Sequence, residues 1–320
     1  MRRTGLGVLV CLALAGLLAP WLAPNPPTVQ YRDYVWSPPA RPRILGPDGG
    51  PQGLFIYPPR LVDRIERRYE PDVTKPTSLT WFTRGRLLTS ADPSVPWFPL
   101  GTDALGRDVA ARLLLGARAS IGVAFLATLG ALLLGAVIGG VAGYVGGAVD
   151  EVLMRATEVV LVLPVLYVVL ALRASLPLVL PPFTLFVILV VVLALVGWPT
   201  VARGVRGIVV NEAAREYAVA ARASGAGPWR ILWRHLLPAS FSFLGTQALL
   251  LVPAFIVAEA TLSYVGLGFA PPVPSWGNML QDAANARAIS EFPWMLAPAL
   301  AIAVVVFALN LAIERGDPLA

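Results

Sequence analysis

The sequence is poor in the residues that soluble proteins use for catalysis and solvation. Charged residues are only 14% of its 320 residues, whereas a soluble domain has about 25%. It contains one cysteine, Cys11, one histidine, His235, and one lysine, Lys75. A single cysteine excludes an internal disulfide and a cysteine-ligated metal site, and a single histidine leaves little basis for zinc ligation or a Ser–His triad. We therefore predict no catalytic residues, no metal ligands and no cofactor.

The chain also lacks the usual means of driving its own chemistry or transport. Lys75 stands between Thr74 and Pro76, so it cannot belong to a P-loop, which needs Gly-Lys-Ser/Thr. Glu259 is the one acid well within an apolar run, whereas ion-coupled carriers usually bury several ionisable groups. A source of energy outside this chain is therefore expected.

Long apolar runs dominate the sequence instead. Hydrophobic residues make up 57% of it, and a helix of about 20 apolar residues spans a bilayer. The runs predict an all-α polytopic membrane protein with six transmembrane helices, at about residues 5–23, 119–145, 151–172, 183–201, 241–265 and 292–313. A signal peptide is the alternative for the first run. We favour an uncleaved anchor, because Pro20 and Trp21 spoil the cleavage site.

Arginines are distributed unevenly between the short connections. If the N-terminus is cytoplasmic, cytoplasmic segments hold ten arginines and the short outside loops hold two, Arg173 and Arg287. The other basic residues lie in the connection 24–118, which is too long for the positive-inside rule to apply. Both termini are therefore predicted to be cytoplasmic, and the net charge of +6 reflects topology, not binding to nucleic acid.

Three regions follow: an anchor helix 1–24, an extracytoplasmic insert 25–97 and a membrane domain 98–320. The insert is proline-rich but carries nine aromatic residues, which is atypical of a solvated tether. Its segment "PPRLVDRIERRYEPD" (58–72) favours a short helix with Leu61, Ile65 and the stem of Arg68 on one face. The segments 55–57 and 79–82 favour short strands. We therefore predict a small folded insert of mixed structure.

Small residues recur every four positions in the second run, at Gly135, Gly139, Gly143 and Gly147. On one helix these positions share a face, and that face lets another backbone approach closely. Glycine is also frequent in membrane helices generally, but three consecutive repeats favour a tight helix–helix seam.

A basic segment, 211–238, lies between the fourth and fifth runs. Its alanine-rich part, 211–223, predicts one helix, which Gly225 and Gly227 end. Pro228 suits the first turn of a second helix that ends before Pro238. Tyr217 and Trp229 could anchor this hairpin in a groove of a partner, or the hairpin could lie on the membrane surface with its arginines on lipid phosphates. These physical arguments leave both interpretations open. His235 is interpreted as a packing or helix-end residue.

Four ordered segments carry a family pattern. "YAVAARASGAGPWRILWRHLLP" places Ala220, Ala221, Gly225, Leu237 and Pro238 at the positions of an EAA loop. The others are "FPLGTDALGRDVAARLLLGARASIGV", "VDEVLMRATEVVLVLP" and "AEATLSYVGLGFAPPVPSWGNML". Together they resemble the permeases of ABC importers, in the peptide and nickel branch, over about residues 98–318 and the first run. The sequence departs from that pattern at Val219, where the EAA signature opens with an acid.

The resemblance implies a multi-pass transmembrane subunit of the cytoplasmic (inner) membrane that has no ATP site. Its partners would be a homologous second permease, two cytoplasmic ATPase subunits and an extracytoplasmic solute-binding protein. The ATPase-coupling residues would be Tyr217, Ala220, Ala221, Arg222, Gly225, Trp229, His235 and Pro238. Glu259, Ser263 and Trp276 are candidates for the path or its outer gate. Dipeptides, longer peptides, nickel chelates and glycosides all fit as substrates. The sparse buried charge and the EAA-like segment disfavour an ion-coupled carrier or a non-transporting membrane receptor or assembly factor.

Overall fold

The structure is a computed structural model, which describes residues 7, 14–45, 51–164, 167–168, 171, 177, 180–284 and 290–313. The chain divides into two units. One contains Arg3–Ser120 and Ala260–Ala308, and the other contains Ile121–Glu259 and Leu309–Ala320.

Helices account for most of the described chain. They are α1 Ala19–Leu22, α2 Val109–Val145, α3 Gly147–Val162, α4 Pro182–Ala213, α5 Glu216–Ala223, α6 Pro228–Ile231, α7 Phe241–Tyr264, α8 Trp276–Asp282 and α9 Ala297–Ile313. Short 3₁₀ segments lie at Arg32–Tyr34, Leu237–Ser240 and Pro293–Leu296, and a π turn lies at Leu232–Leu236.

Four helical segments in the described part of the chain are long and apolar enough to cross a membrane: Val109–Val145, Pro182–Ala213, Pro228–Tyr264 and Pro293–Leu311. They contain or overlap the predicted runs 119–145, 183–201, 241–265 and 292–313, so the prediction of a helical membrane protein is confirmed. The predicted runs 5–23 and 151–172 lie partly outside the described residues. Within these two runs, the described helices are α1 and the part of α3 from residue 151 to residue 162.

Two helices, α2 and α4, are longer than the apolar runs that predicted them. α2 has 37 residues, which at 1.5 Å per residue extend about 55 Å, whereas the hydrocarbon core is about 30 Å thick. Its first turns carry Arg112 and Arg118 and precede the predicted start at residue 119. Hydropathy detects only the stretch that suits lipid, so it missed this polar start of the helix.

Strands are the main secondary structure of the insert. β1 Arg43–Leu45, β2 Pro51–Ile56, β5 Thr77–Thr83 and β6 Arg86–Ser90 form an antiparallel sheet in the order β1-β2-β5-β6. β3 Pro59–Asp63 and β4 Arg68–Pro71 form a separate hairpin. Phe55, Ile56 and Leu79 are buried. The two predicted strands, at 55–57 and 79–82, correspond to parts of β2 and β5.

The helix predicted at 58–72 is wrong, because this segment is the β3–β4 hairpin. Leu61 pairs with Tyr69 across the two strands, and burial along β3 alternates with a period of two. The side chain of Asp63 accepts hydrogen bonds from the backbone N–H groups of Ile65 (2.7 Å) and Glu66 (3.1 Å). This turn chemistry competes successfully with helix formation, and it leaves Ile65 88% exposed.

The insert is tied to the chain that leads into and out of it. The side-chain amide of Asn25 donates to the Asp108 carboxylate (2.8 Å) and to the carbonyl of Trp97. Arg86, in β6, donates to the carbonyl of Ala23, and the hydroxyl of Thr89 donates to the carbonyl of Pro24. The edge strand β6 therefore runs beside the chain as it leaves α1.

In the second unit, glycines of α2 face α4 at very short distances. A Cβ at Gly135 would lie 2.5 Å from Val201, one at Gly139 would lie 2.2 Å from the Ala202 carbonyl oxygen, and one at Gly143 would lie 2.7 Å from the Arg206 carbonyl oxygen. Such contacts admit no side chain, so the two backbones meet along this seam.

Gly147 does not belong to the seam, which corrects the predicted series of four. α2 ends at Val145, and Gly147 begins α3 with a φ of +56° and nothing within 4 Å of its Cβ position. The turn between α2 and α3 breaks the helical repeat, so the spacing of four residues no longer describes one face. Gly147 instead supplies a left-handed backbone conformation.

Candidate functional site

The basic segment 211–238, which we call the basic hairpin, has a well-defined turn. α5 ends at Ala223. The N–H of Ala226 then donates to the carbonyl of Ala221 (3.1 Å), and that of Gly225 to the carbonyl of Arg222 (3.0 Å). Gly225 has a φ of +79°, so these bonds form the Schellman arrangement that favours glycine at this position. Pro228 then opens α6, as predicted.

The limits predicted for the two hairpin helices are wrong at their outer ends. Residues 211–213 belong to the end of α4, and α5 begins only at Glu216. The second helix does not stop before Pro238, because the π turn Leu232–Leu236 and the 3₁₀ segment Leu237–Ser240 join α6 to α7. Pro238 lies in the first turn of the 3₁₀ segment, where its missing N–H is tolerated. The hairpin is therefore continuous with the long apolar helix that follows it.

A buried apolar cluster fixes the inner side of the basic hairpin. Ala218, Ile231 and Leu236 pack into one core with three valines of α4, Val201, Val205 and Val209. A Cβ on Gly140 of α2 would lie 3.1 Å from Leu237. Since α2 and α4 are membrane-spanning candidates, this core couples the position of the hairpin directly to two long helices.

The other side of the basic hairpin exposes a combination of aromatic and cationic groups. Trp229 is 63% exposed, Trp233 is 54% exposed and Tyr217 is 41% exposed. Val219 and the basic residues Arg222, Arg230 and Arg234 are also exposed. Large aromatic side chains beside arginines are typical of residues that contribute strongly to protein interfaces.

Local contacts hold two of the exposed groups in place. The Tyr217 hydroxyl donates to the Glu212 carboxylate (2.6 Å), and burial together with this bond raises the pKa of Tyr217. Arg222 donates to the carbonyl of Ala213 (3.1 Å) and lies 5.7 Å from the centre of the Tyr144 ring. Of the other predicted coupling residues, Ala220 is exposed, while Ala221 and His235 are half-buried.

The three candidates for the path or outer gate are all buried. Glu259 and Ser263 have no exposed surface, and Trp276 is 1% exposed. The Ser263 hydroxyl accepts from the N–H of Phe269 (3.1 Å), and the Trp276 indole donates to the carbonyl of Leu113 (3.0 Å). These bonds give Ser263 and Trp276 positioning roles within their unit, and a place along a transport path stays a prediction.

Sequence reasoning missed an ionic group, the polar cluster, which consists of the buried residues Asp103, Arg107 and Arg112 and the partly exposed Asp282. Arg107 donates to Asp103 (2.7 Å) and to Asp282 (2.9 Å), and Arg112 also contacts both carboxylates. The four charges cancel, which makes their burial tolerable. Asp103 and Arg107 belong to the quoted block 98–123, but nothing local in the sequence indicates their pairing with Asp282.

Asp108 caps the start of α2. Its carboxylate accepts from the N–H groups of Ala110 (2.9 Å) and Ala111 (3.3 Å), and from Asn25. Burial raises the pKa of Asp108 from 3.8 to about 7, although these hydrogen bonds act in the opposite direction. The chain just after α1 and the start of α2 are therefore joined by the hydrogen bond between Asn25 and Asp108.

An aromatic cleft lies between the insert and the 3₁₀ segment Pro293–Leu296. It has a volume of about 570 Å³ and is lined by Trp36, Tyr69, Phe292 and Trp294, among others. The rings of Trp36 and Phe292 stack at 4.5 Å. In the described part of the chain, no cluster of three or more His, Cys, Asp or Glu side chains has the arrangement of a metal site.

Comparison with known proteins places these features in a family. The model of the binding-protein-dependent transport system inner membrane component matches residues 131–318. The chain is 40% identical over 228 residues to the dipeptide transport system permease protein DppC of Bacillus subtilis. The aligned region covers 71% of this chain and 68% of that protein. It is 37% identical over 215 residues to the oligopeptide transport system permease protein OppC of the same organism, covering 67% of each.

A third relative extends the match to nearly the whole chain. The chain is 30% identical over 317 residues to the di/tripeptide transport system permease protein DppC of Pseudomonas aeruginosa, which covers 98% of this chain and 84% of that protein. The family match includes the basic hairpin and the seam glycines Gly135, Gly139 and Gly143. The chain therefore belongs to the inner membrane components of binding-protein-dependent ABC transport systems, in the peptide permease family.

Proposed function

We propose that this protein forms half of the translocation path of an ATP-driven peptide importer and receives the mechanical work of ATP hydrolysis through its basic hairpin. The observation that carries the proposal is the two-sided construction of the hairpin. One side is buried against α2 and α4, while the other exposes Trp229, Trp233 and three arginines. A groove on a partner ATPase is the proposed occupant of the exposed side.

The proposed membrane arrangement has six spans with both ends in the cytoplasm. The four apolar helices and the arginine count support it. In this arrangement the basic hairpin is cytoplasmic and the insert is extracytoplasmic. A second, homologous permease would complete the path, because subunits of this kind pair around it. Alternating access then follows as rocking of helices around that path, biased by nucleotide at one end and by the solute-binding protein at the other.

Peptides are the proposed substrates because the relatives that match over most of the chain are named as dipeptide, oligopeptide and di/tripeptide permeases. The solute-binding protein would select among peptide lengths. Glu259 is proposed to line the path or to pair with a polar group in the helix bundle, because an isolated carboxylate in lipid is costly.

The insert is proposed to contact the docked solute-binding protein. The aromatic cleft lined by Trp36, Phe292 and Trp294 supports this role, since aromatic side chains are enriched at protein interfaces. Replacing residues 40–90 with a short linker tests it. Loss of receptor-stimulated ATP hydrolysis is expected, and unchanged stimulation would contradict the docking role.

Reconstitution tests the main proposal. The full chain, its partner permease and the two ATPases are placed in proteoliposomes, and uptake of a labelled peptide is followed after addition of the solute-binding protein. Uptake is expected only with ATP and with both ATPases present. Uptake that persists without the ATPases, driven by an ion gradient, would instead identify a secondary carrier.

A further inference from the structure

The β5–β6 hairpin of the insert exposes aromatic side chains at its tip without any partner in the described chain that covers them. Trp81 is 58% exposed and Phe82 is 79% exposed. Phe82 also has a φ of +52°, a left-handed conformation that is unusual for a bulky residue. A strained backbone that holds a large apolar ring in solvent points to a use for that ring outside the chain.

The β5–β6 hairpin lies beside the outer end of the proposed first span. β6 packs against α1, the last helical turn of the apolar run 5–23. Arg86, the first residue of β6, bonds to Ala23, whereas Thr89, three residues later, bonds to Pro24. β6 therefore lies beside the end of α1, and the turn at Arg84 and Gly85 directly precedes Arg86, the β6 residue that is bonded to Ala23.

The composition of the hairpin fits a lipid headgroup region. Trp21, on α1, is 65% exposed, and tryptophan is enriched at the membrane–water interface. The segment from Thr77 to Ser90 contains no acidic residue that would repel lipid phosphates. Its two arginines, Arg84 and Arg86, donate to the carbonyls of Ala91 and Ala23. The paired turn Thr83–Arg86, with positive φ at both central residues, makes the tip a rigid two-residue hairpin.

We propose that the tip of the β5–β6 hairpin inserts Trp81 and Phe82 into the headgroup region of the outer leaflet, so that the bilayer itself anchors the insert beside the first span. Trp21, on the helix α1 that β6 contacts, would lie in the same region. This inference goes beyond the proposed transport function and rests on the proposed span 5–23. The anchor would fix the height of the insert above the membrane.

Site-directed fluorescence tests the inference in the complete transporter in nanodiscs of phosphatidylethanolamine and phosphatidylglycerol. Cys11 is first replaced by serine, and an environment-sensitive probe is then attached at Phe82→Cys. The matched control is Val73→Cys, an apolar residue that is 62% exposed and lies before β5, at the opposite end of that strand from the tip. Nitroxide lipids labelled at the headgroup and iodide in the water serve as quenchers.

The probe at Phe82→Cys is expected to be quenched several-fold more by the nitroxide lipid than the probe at Val73→Cys, and to be shielded from iodide. Trp81→Cys gives a second test if Phe82→Cys does not assemble. Equal quenching at the tip and at the control would overturn the inference. So would shielding of the tip that appears only after the solute-binding protein is added, since the tip would then be a protein-docking surface.

A probe on the natural Cys11 separates failure of this inference from failure of its premise. Quenching of that probe by a nitroxide at the acyl-chain midpoint shows that the run 5–23 lies in the bilayer. If Cys11 is quenched and the tip is not, the headgroup anchor alone is refuted. If Cys11 is not quenched, the proposed first span is refuted, and the anchor with it.

Discussion

Gly225 gives the sharpest test of how the basic hairpin works, because its backbone conformation favours glycine whereas the space around its Cβ position would admit a side chain. Its φ of +79° places it in the left-handed region, which costs other residues roughly 1–2 kcal/mol. Nothing lies within 4 Å of its Cβ position, so a side chain there meets no steric clash. Substitution therefore perturbs the Schellman turn and little else.

Two substitutions separate backbone conformation from side-chain bulk. Valine is β-branched and poorly suited to positive φ, whereas asparagine adopts this conformation readily. A cost of roughly 1–2 kcal/mol shifts the equilibrium of the turn by a factor of about 5–30. We expect Gly225→Val to reach the membrane in normal amounts but to lower several-fold the amount of peptide transported per ATP hydrolysed. Gly225→Asn is expected to retain most of this coupling.

The assay is the proteoliposome uptake described above, with ATP hydrolysis measured in the same samples. Normal coupling in Gly225→Val would refute the requirement for this turn. Equal damage by valine and asparagine would show that any side chain on the exposed surface is harmful, so the reasoning from backbone conformation would fail.

Four further predictions concern other parts of the chain. Gly139→Ala is expected to destabilise the protein by about 1–3 kcal/mol or more through overpacking, whereas Gly147→Ala should affect only its local turn; thermal unfolding in detergent distinguishes them. Arg112→Ala leaves the buried Asp103 carboxylate short of one cation and should cost about 3–5 kcal/mol, again measured by thermal unfolding. A loss below about 1 kcal/mol would show that the cluster is solvated. Asp108 has a folded-state pKa raised to about 7 from 3.8, so its contribution to stability is greatest below about pH 4 and is lost as the pH rises through 7. Asp108→Asn should therefore flatten the pH dependence of the melting temperature over that range. Glu259→Gln is expected to reduce peptide uptake at unchanged expression, and normal uptake would remove Glu259 from the transport path.

Local sequence signals predicted those elements whose causes are local. Apolar runs located four long helices, the glycines at 135, 139 and 143 marked a close backbone contact, and Gly225 with Pro228 marked the turn of the basic hairpin. In each case the physical requirement acts within a few residues, through lipid solubility, the absence of a Cβ or a fixed φ.

The remaining features depend on contacts that the local sequence does not contain. The segment 58–72 has apolar groups at helical spacing, but the Asp63 turn and pairing between Leu61 and Tyr69 make it a hairpin. Arg112 and Asp282 are 170 positions apart, so their ion pair follows from the tertiary fold. The seam stops before Gly147 because α2 ends at Val145, and no spacing rule marks that end.

Cross-linking from the basic hairpin tests the central claim most directly. A cysteine-linked photoreactive probe is placed at Trp229→Cys in the complete transporter, with Cys11 replaced by serine, and a second probe at Val73→Cys in the insert serves as the control. The account predicts that the probe at residue 229 labels an ATPase subunit and that the probe at residue 73 does not. Labelling of the ATPase from residue 73, or of lipid alone from residue 229, would contradict the proposed orientation or the proposed coupling role.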